Sequence, residues 1–301
     1  MPGQSWTPAE EAYLQALVEK GLDSAQIVAE FQKRGIARTQ KAIRRLIERK
    51  GWTRKAQVPT ATTPRFNQPL EVIGDPLILA DIHAPFHDAR WINEVADLAI
   101  GRGIKQLVIG GDLADFNAFS KWGADIGIDA DFELDQLSKV MDELCAAFPD
   151  VYYFAGNHDV RPVRMLQNRV SVSWLMRMFT PTAHCQISDY HWCNLTSGDT
   201  EYMLTHPRNT SIHATLIPKK LCAKYNKSVI AHHGHTWGMT RDDSNRHWAI
   251  DSGICADPER LAYAQLVQNT RPKMMRGAVI VEGGIPLLLS PQNVAMFANM
   301  K

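Results

Sequence analysis

The sequence predicts a layered α/β sandwich preceded by a small three-helix domain, and three observations carry that reading. From about residue 70, short apolar runs alternate with helical stretches. Residues 1–57 instead show three helical patterns with their own start and stop signals. Between them, residues 58–69 (VPTATTPRFNQP) hold three prolines and three threonines without an apolar period, the composition of a linker. The expected division is 1–57, 58–69 and 70–301.

In the front domain, Thr7 as N-cap, Pro8 at the first helical position and Glu10 three residues on form a capping-box pattern, and Gly21 ends that helix. Asp23 with Gln26 opens a second helix that runs through Ile27, Val28 and Phe31 to Gly35. The third begins at Thr39 and stops at Gly51. It places Ala42, Ile43, Leu46 and Ile47 on one face and Lys41, Arg44, Arg45 and Arg49 around the other. Trp6 and Trp52 are expected to close this small core.

A net charge of +1 hides an asymmetry, because residues 1–57 hold 11 Lys/Arg against 6 Asp/Glu. Between Lys33 and Lys55 the only acid is Glu48. That density suits a surface that meets phosphate, with a solvated helix face as the bland alternative. The segments WTPAEEAYLQALVEKG and RTQKAIRRLIERKGW resemble a Myb-like or helix-turn-helix unit. The resemblance implies nucleic acid as a partner, DNA ahead of RNA, met by Lys41, Arg44, Arg45 and Arg49. A protein-interaction bundle is the competing reading.

In the second domain, strands are expected at 76–80, 106–110, 151–155, 202–205, 228–231, 247–251, 277–281 and 286–289, with helices at 89–101 and 132–147. With 301 residues and 45% hydrophobic content, the chain can build a large core. Its five cysteines form no CxxC pair, which argues against a zinc ribbon or a disulfide framework and for reduced structural thiols. The N-terminus MPGQSWTPAEEAYL lacks a charged n-region and an apolar h-region, and no apolar run approaches spanning length. A soluble cytoplasmic protein, with no membrane partner, is the expectation. The Gly-Gly pairs in IGGDL and VEGGIP lack the spacing and lysine of a phosphate-binding loop, which leaves ATP use unsupported. Met274, Met275, Trp174 and Phe179 read as core or loop packing.

The chemistry-bearing residues follow the strands, where loops aim side chains from a rigid scaffold. Asp81 and His83 follow the first strand as ADIHAPFHD. A D-x-H pair on extended backbone would turn both side chains to one side, where they could share a cation. Alone, such a pair is common by chance. The second strand ends in GGDLADFNAFS, where Gly110 and Gly111 allow close backbone approach and Asp112 emerges at the sheet edge. The third ends in AGNHD, giving Asn157, His158 and Asp159.

DxH, GGD and GNHD, in order after successive strands, resemble the signature of the calcineurin-like metallophosphoesterases. The resemblance spans roughly residues 70–290 and implies a metallophosphoesterase domain with two more histidine stations. His206 in LTHP and the segment HHGHTWG supply them. A lone buried His206 would otherwise read as a core histidine. The last station departs from the family's Gly-His-x-His, because Gly234-His235-Thr236 is followed by Trp237. Either His235 fills the first histidine place and the second is vacant, which keeps the GHT alignment and is preferred, or His233 and His235 form the pair.

Carried over residue by residue, the family roles imply two divalent metals. Asp81, His83 and Asp112 would hold the first; Asp112, Asn157, His206 and His235 would hold the second. The catalytic set would be Asn157, His158 and Asp159, with His158 serving the leaving oxygen and Asp159 orienting its ring. Arg161 is open between a phosphate contact and a surface ion pair. Oxygen and nitrogen ligands without thiolate admit Mn, Fe, Zn or Mg, with manganese the first expectation. A basic front domain joined to a phosphoesterase leads to a nuclease or phosphodiesterase. A phosphomonoesterase or cyclic-nucleotide phosphodiesterase is the alternative, and a DNA-binding regulator with an inactive phosphoesterase domain, motivated by Trp237, is another. The layout also looks like many phage-encoded phosphoesterases.

Overall fold

The computed structural model describes residues 5–53, 68–120, 128–180, 184–265 and 273–298. Most of the expected linker, 58–67, lies outside them. The chain divides into two compact units, residues 1–65 and 66–301.

The front unit consists of α1 (Pro8–Glu19), α2 (Ser24–Lys33) and α3 (Gln40–Lys50). Each starts on its predicted cap. Thr7 and Glu10 form a complete capping box, Asp23 and Gln26 form another, and Thr39 accepts from Ala42 N–H. Gly51 ends α3 in the left-handed region, as a C-terminal glycine should. Leu14, Val18, Ile27, Phe31, Ile43 and Leu46 make the core, with Trp6 and Trp52 partly buried against it. Arg38 is committed inward: it pairs with Glu10 at 2.8 Å and lies over the Trp6 ring. Arg34 covers Tyr13, and Arg44 donates to Ser24 Oγ.

The second unit packs two six-stranded sheets face to face. One has the order β12-β11-β2-β3-β4-β5 and contains β2 (Pro76–Leu79), β3 (Gln106–Ile109), β4 (Asp150–Phe154), β5 (Cys185–Ser188), β11 (Ala278–Glu282) and β12 (Ile285–Leu289). The other has the order β1-β6-β7-β8-β10-β9, from β1 (Glu71–Ile73), β6 (Trp192–Ser197), β7 (Thr200–Thr205), β8 (Ser228–Ala231), β9 (Trp237–Arg241) and β10 (Trp248–Ser252). Strand alternation sorts the core into layers. Ile78, Val108 and Phe154 face Leu195, Leu204, Ile230 and Ile250 between the sheets. Their neighbours Leu77, Leu79, Leu107, Ile109 and Tyr153 face the other way, under α4 (Ala89–Gly101) and α5 (Ala130–Ala147). Outside the second sheet, α8 (Leu216–Tyr225) sets Cys222 against Val229 and Ala249.

The predicted strands are all present within a residue or two. The reading missed β1, β5, β6, β9, α8 and the short helices α6 (Arg161–Met165), α7 (Val172–Met176), α9 (Ala262–Gln265) and α10 (Val294–Ala298). Most of the missed strands mix polar with apolar residues, and β1 and β9 are sheet edges where one-sided burial weakens the apolar signal. Trp174 also corrects the packing expectation, being 54% exposed. Among the described residues, no helix is long and apolar enough to cross a membrane.

Strands β2, β3, β4 and β5 run parallel, so their C-terminal ends open on one edge. In the second sheet β7, β8 and β10 are also parallel, and the loops after β7 and β8 meet that edge.

Candidate metal centre

Asp81 and His83 follow β2, Asp112 follows β3, Asn157 and His158 follow β4, His206 follows β7, and His233 and His235 follow β8. The D-x-H pair is not extended as expected. Asp81, His83, Asp112, His233 and His235 all take positive φ, a conformation that costs about 1–3 kcal/mol at each non-glycine residue and persists only where the surroundings over-determine it. Glycines admit this crowding. A Cβ on Gly156 would sit 2.2 Å from Asp112 Oδ1, and one on Gly110 would sit 2.5 Å from His232 Nε2.

Three donor groups form. Asp81, His83 and His235 cluster; so do His83, Asp112 and His158; so do Asp112, His206 and His233. His83 and Asp112 each belong to two groups, so the donors form one continuous centre around a shared carboxylate. His235 Nε2 lies 3.1 Å from Asp81 Oδ1, and His206 Nε2 lies 3.2 Å from Asp112 Oδ2 and 3.0 Å from Asn157 Oδ1.

This grouping corrects the expected one. His235 joins Asp81 and His83 rather than Asp112, Asn157 and His206, and it is His233 that joins Asp112 and His206. The two histidines straddle Gly234 as a His-x-His pair. Trp237 leaves no gap, because it lies in β9 and donates Nε1–H to Leu289 O, 2.9 Å away.

Asp159 is the second correction. Its carboxylate accepts the backbone N–H groups of Gly156 at 2.6 Å, Asp112 at 2.8 Å and Leu113 at 3.2 Å, tying two site loops together rather than orienting His158. Asp115 holds that ring: its backbone carbonyl accepts from His158 Nδ1 at 2.9 Å with Oδ1 3.0 Å from the same nitrogen, and Oδ1 accepts from His83 Nδ1 at 2.9 Å. Asp115 stands three residues after Asp112 in GGDLADF, but nothing in that spacing marks it as the partner of two histidines on other loops. Glu133, also missed, lies buried in α5 and accepts the N–H groups of Asn117 and Ala118, which fixes the loop carrying Asp115.

Arg161, at the start of α6, donates from Nη1 to Asp115 O at 2.7 Å and from Nη2 to His158 Nε2 at 3.0 Å. A guanidinium only donates, so Nε2 is the acceptor and Nδ1 carries the proton that Asp115 receives.

The electrostatics suit a cation. Burial alone would lower the His83 pKa, but the carboxylates of Asp115, Asp81 and Asp112 raise it to about 10. His206 rises to about 9 against the same burial penalty, chiefly through Asp112. Asp81 and Asp112 are held well below the usual carboxylate range by the surrounding histidines, although burial opposes this. Among the described residues, His83 Nε2 is one of several buried atoms without a hydrogen-bond partner, and the nearest donor to Asp112 Oδ2 is His206 Nε2 at 3.2 Å. His83 Nε2 and Asp112 Oδ2 face each other across 3.9 Å. A buried imidazole nitrogen without a partner is expensive, and a cation taking the place of its proton would meet both it and the carboxylate. In contrast, burial lowers His232 to about 3, and it sits beneath the site with Nδ1 on Ser252 Oγ.

Residues 76–253 match the calcineurin-like phosphoesterase family, and the chain belongs to it. Among solved structures, the chain is similar to YfcE, a phosphoesterase from E. coli, at 12% identity, covering 72% of this chain and 92% of that one with a TM-score of 0.40. Vps29 from Cryptosporidium parvum is similar at 10% identity, over 72% and 95% of the two chains, with a TM-score of 0.38. Wild-type Vps29 from Entamoeba histolytica, complexed with zinc, is similar at 11% identity, over 71% and 97%, with a TM-score of 0.34. Comparison with curated protein sequences gives no match.

Proposed function

We propose that this protein is a divalent-metal-dependent phosphodiesterase acting on nucleic acid. The observation that carries the hydrolase reading is the convergence of three donor groups on His83 and Asp112, each of which belongs to two of them. In this reading Asp81, His83 and His235 hold one metal, and Asn157, His206 and His233 hold the other, with Asp112 shared. A pair of such metals would supply an activated hydroxide and neutralise phosphoryl charge. His158 stands at the edge of the centre with Asp115 holding its ring; to serve the leaving oxygen it would carry a second proton at Nε2, in place of the contact from Arg161. The all N/O donor set is consistent with manganese first, and with iron, zinc or magnesium after it.

The nucleic-acid part rests on the front unit. Lys41, Arg45 and Arg49 share one stripe of α3, are exposed, and make no ion pair among the described residues, whereas Arg34, Arg38, Arg44 and Lys50 have internal partners. Of the four basic positions expected to meet DNA, Arg44 is therefore partly committed to Ser24. The stripe would hold polymer near the site by charge. The Myb-like resemblance points the same way. Trp237, the motive for an inactive regulator, hydrogen-bonds to Leu289 O from β9, and the grouping of His233 and His235 with the other donors supports a last station served by that pair.

The test compares single-stranded DNA, duplex DNA, RNA and a phosphomonoester, with Mn²⁺ and with EDTA. Metal-dependent cleavage of at least one polymer, absent in Asp112→Asn, is expected. No turnover above the Asp112→Asn background on any ester would sink the hydrolase, and monoester turnover alone would sink its nucleic-acid substrate.

A further inference from the structure

Residues 160–188 contain no Asp or Glu, yet they hold Arg161, Arg164, Arg169 and Arg177. This acid-free segment begins at the candidate site, where Arg161 touches His158 and Asp115. Its backbone is well anchored, because Val163, Val172, Leu175 and Met176 are buried in the large core. What it turns outward is unusual. Trp174 is 54% exposed, and along the same segment Met165, Met178 and the arginines at 164, 169 and 177 are exposed as well. An exposed tryptophan on a segment whose arginines at 164, 169 and 177 make no ion pair among the described residues offers a flat apolar face beside positive charge.

The fold also fixes where Trp174 stands. Ser173 donates its N–H and hydroxyl to the Asp189 carboxylate at 2.8 and 3.0 Å, and Ser171 Oγ accepts Trp174 N–H. Asp189 directly follows β5, whose parallel neighbours β4 and β3 deliver Asn157 and Asp112. Trp174 is therefore anchored at the same sheet edge as the site, with β5 about 10 Å from β3 at ordinary strand spacing.

We propose that residues 161–178 form a track for single-stranded nucleic acid leading out of the site, with a base stacked on Trp174 and phosphates on the arginines. The proposal rests on the nucleic-acid reading above and makes it more specific. A flat aromatic face needs an unpaired base, since a duplex hides its π-faces, and cations without acids suit the strand's backbone. The track belongs to the catalytic unit itself and does not depend on α3.

The test reads binding without turnover. Anisotropy of a short fluorescent oligonucleotide is measured in EDTA on the full chain carrying Lys41→Glu, Arg45→Glu and Arg49→Glu. In that background Trp174→Ala should weaken single-strand binding by about fivefold to a hundredfold, the value of one stacked base. Duplex binding should not change, and Trp174→Phe should retain most of the affinity. Arg164→Glu with Arg177→Glu should weaken binding and flatten its salt dependence. No single-strand binding by the parent, or equal binding by Trp174→Ala, would overturn the track. So would a switch from dimer to monomer in Trp174→Ala with binding unchanged, which would make the patch a self-association surface. A protein that binds this way but cleaves no nucleic acid would sink the proposed activity and leave the track standing.

Discussion

The front unit and the strand edge of the catalytic unit follow local rules to very different degrees. In the front unit each helix starts on a satisfied cap and its buried side chains are nearly all apolar. At the strand edge, five site residues take positive φ, carboxylates and imidazoles lie fully buried, and buried ring nitrogens such as His83 Nε2 and His232 Nε2 go unmet. Departures from local preference of that kind survive only where the rest of the fold stabilises them. Their concentration in one place marks the site more clearly than any single motif does.

The contrast can be broken most strongly at its centre. Asp112→Asn should lower metal-dependent diester hydrolysis by about three orders of magnitude, because it removes the carboxylate that two of the three donor groups share. The triple charge reversal on α3 should leave small-ester turnover unchanged, and an equal fall would erase the distinction between the units.

Glycine substitutions compare the two units directly. Gly156→Ala forces a Cβ against Asp112 and should cost about 3 kcal/mol in urea unfolding, with loss of metal binding. Gly35→Ala meets open space at φ +71 and should cost about 1 kcal/mol, from backbone strain alone. Similar losses from both would mean that the site is no more crowded than a helix end.

Asp115 and Asp159 provide a finer comparison. Asp115→Asn should lower kcat by about tenfold to a hundredfold, as loss of a carboxylate partner to histidine does, while Asp159→Asn should act mainly on stability. The reverse pattern would restore Asp159 as the partner of His158.

The smallest effect concerns Asp251, which accepts from Thr215 N–H and Thr236 Oγ1–H. Burial raises its pKa to about 6. The folded state then holds a proton more tightly than the unfolded one, so stability contributed by the protonated form is lost as pH rises from about 4 through about 6. Asp251→Asn keeps both acceptor contacts without the charge, and its advantage over wild type should grow by about 1–2 kcal/mol between pH 4 and pH 7. A pH-independent difference would show that the carboxyl titrates normally.

Much of this was legible in the sequence. The helix caps, the linker composition and the apolar runs of β2, β3, β4 and β8 depend on neighbours within a few positions, which the chain order displays. Asp81, His83, Asp112, Asn157, His158 and His206 were found because each follows such a run. Asp115 escaped because its role depends on facing His83 and His158 across two loops, and Arg161 stayed ambiguous for the same reason.

The sequence by itself determined that strand ends would carry a set of carboxylates and imidazoles, because residue type and position after a strand are local properties. Only the tertiary structure decided how that set divides. It assigned His235 to Asp81 and His233 to Asp112, gave His158 to Asp115 rather than Asp159, and turned Trp174 outward. Those assignments depend on φ reversals and on loops from two different sheets meeting at one edge, and neither can be read from spacing along a single chain.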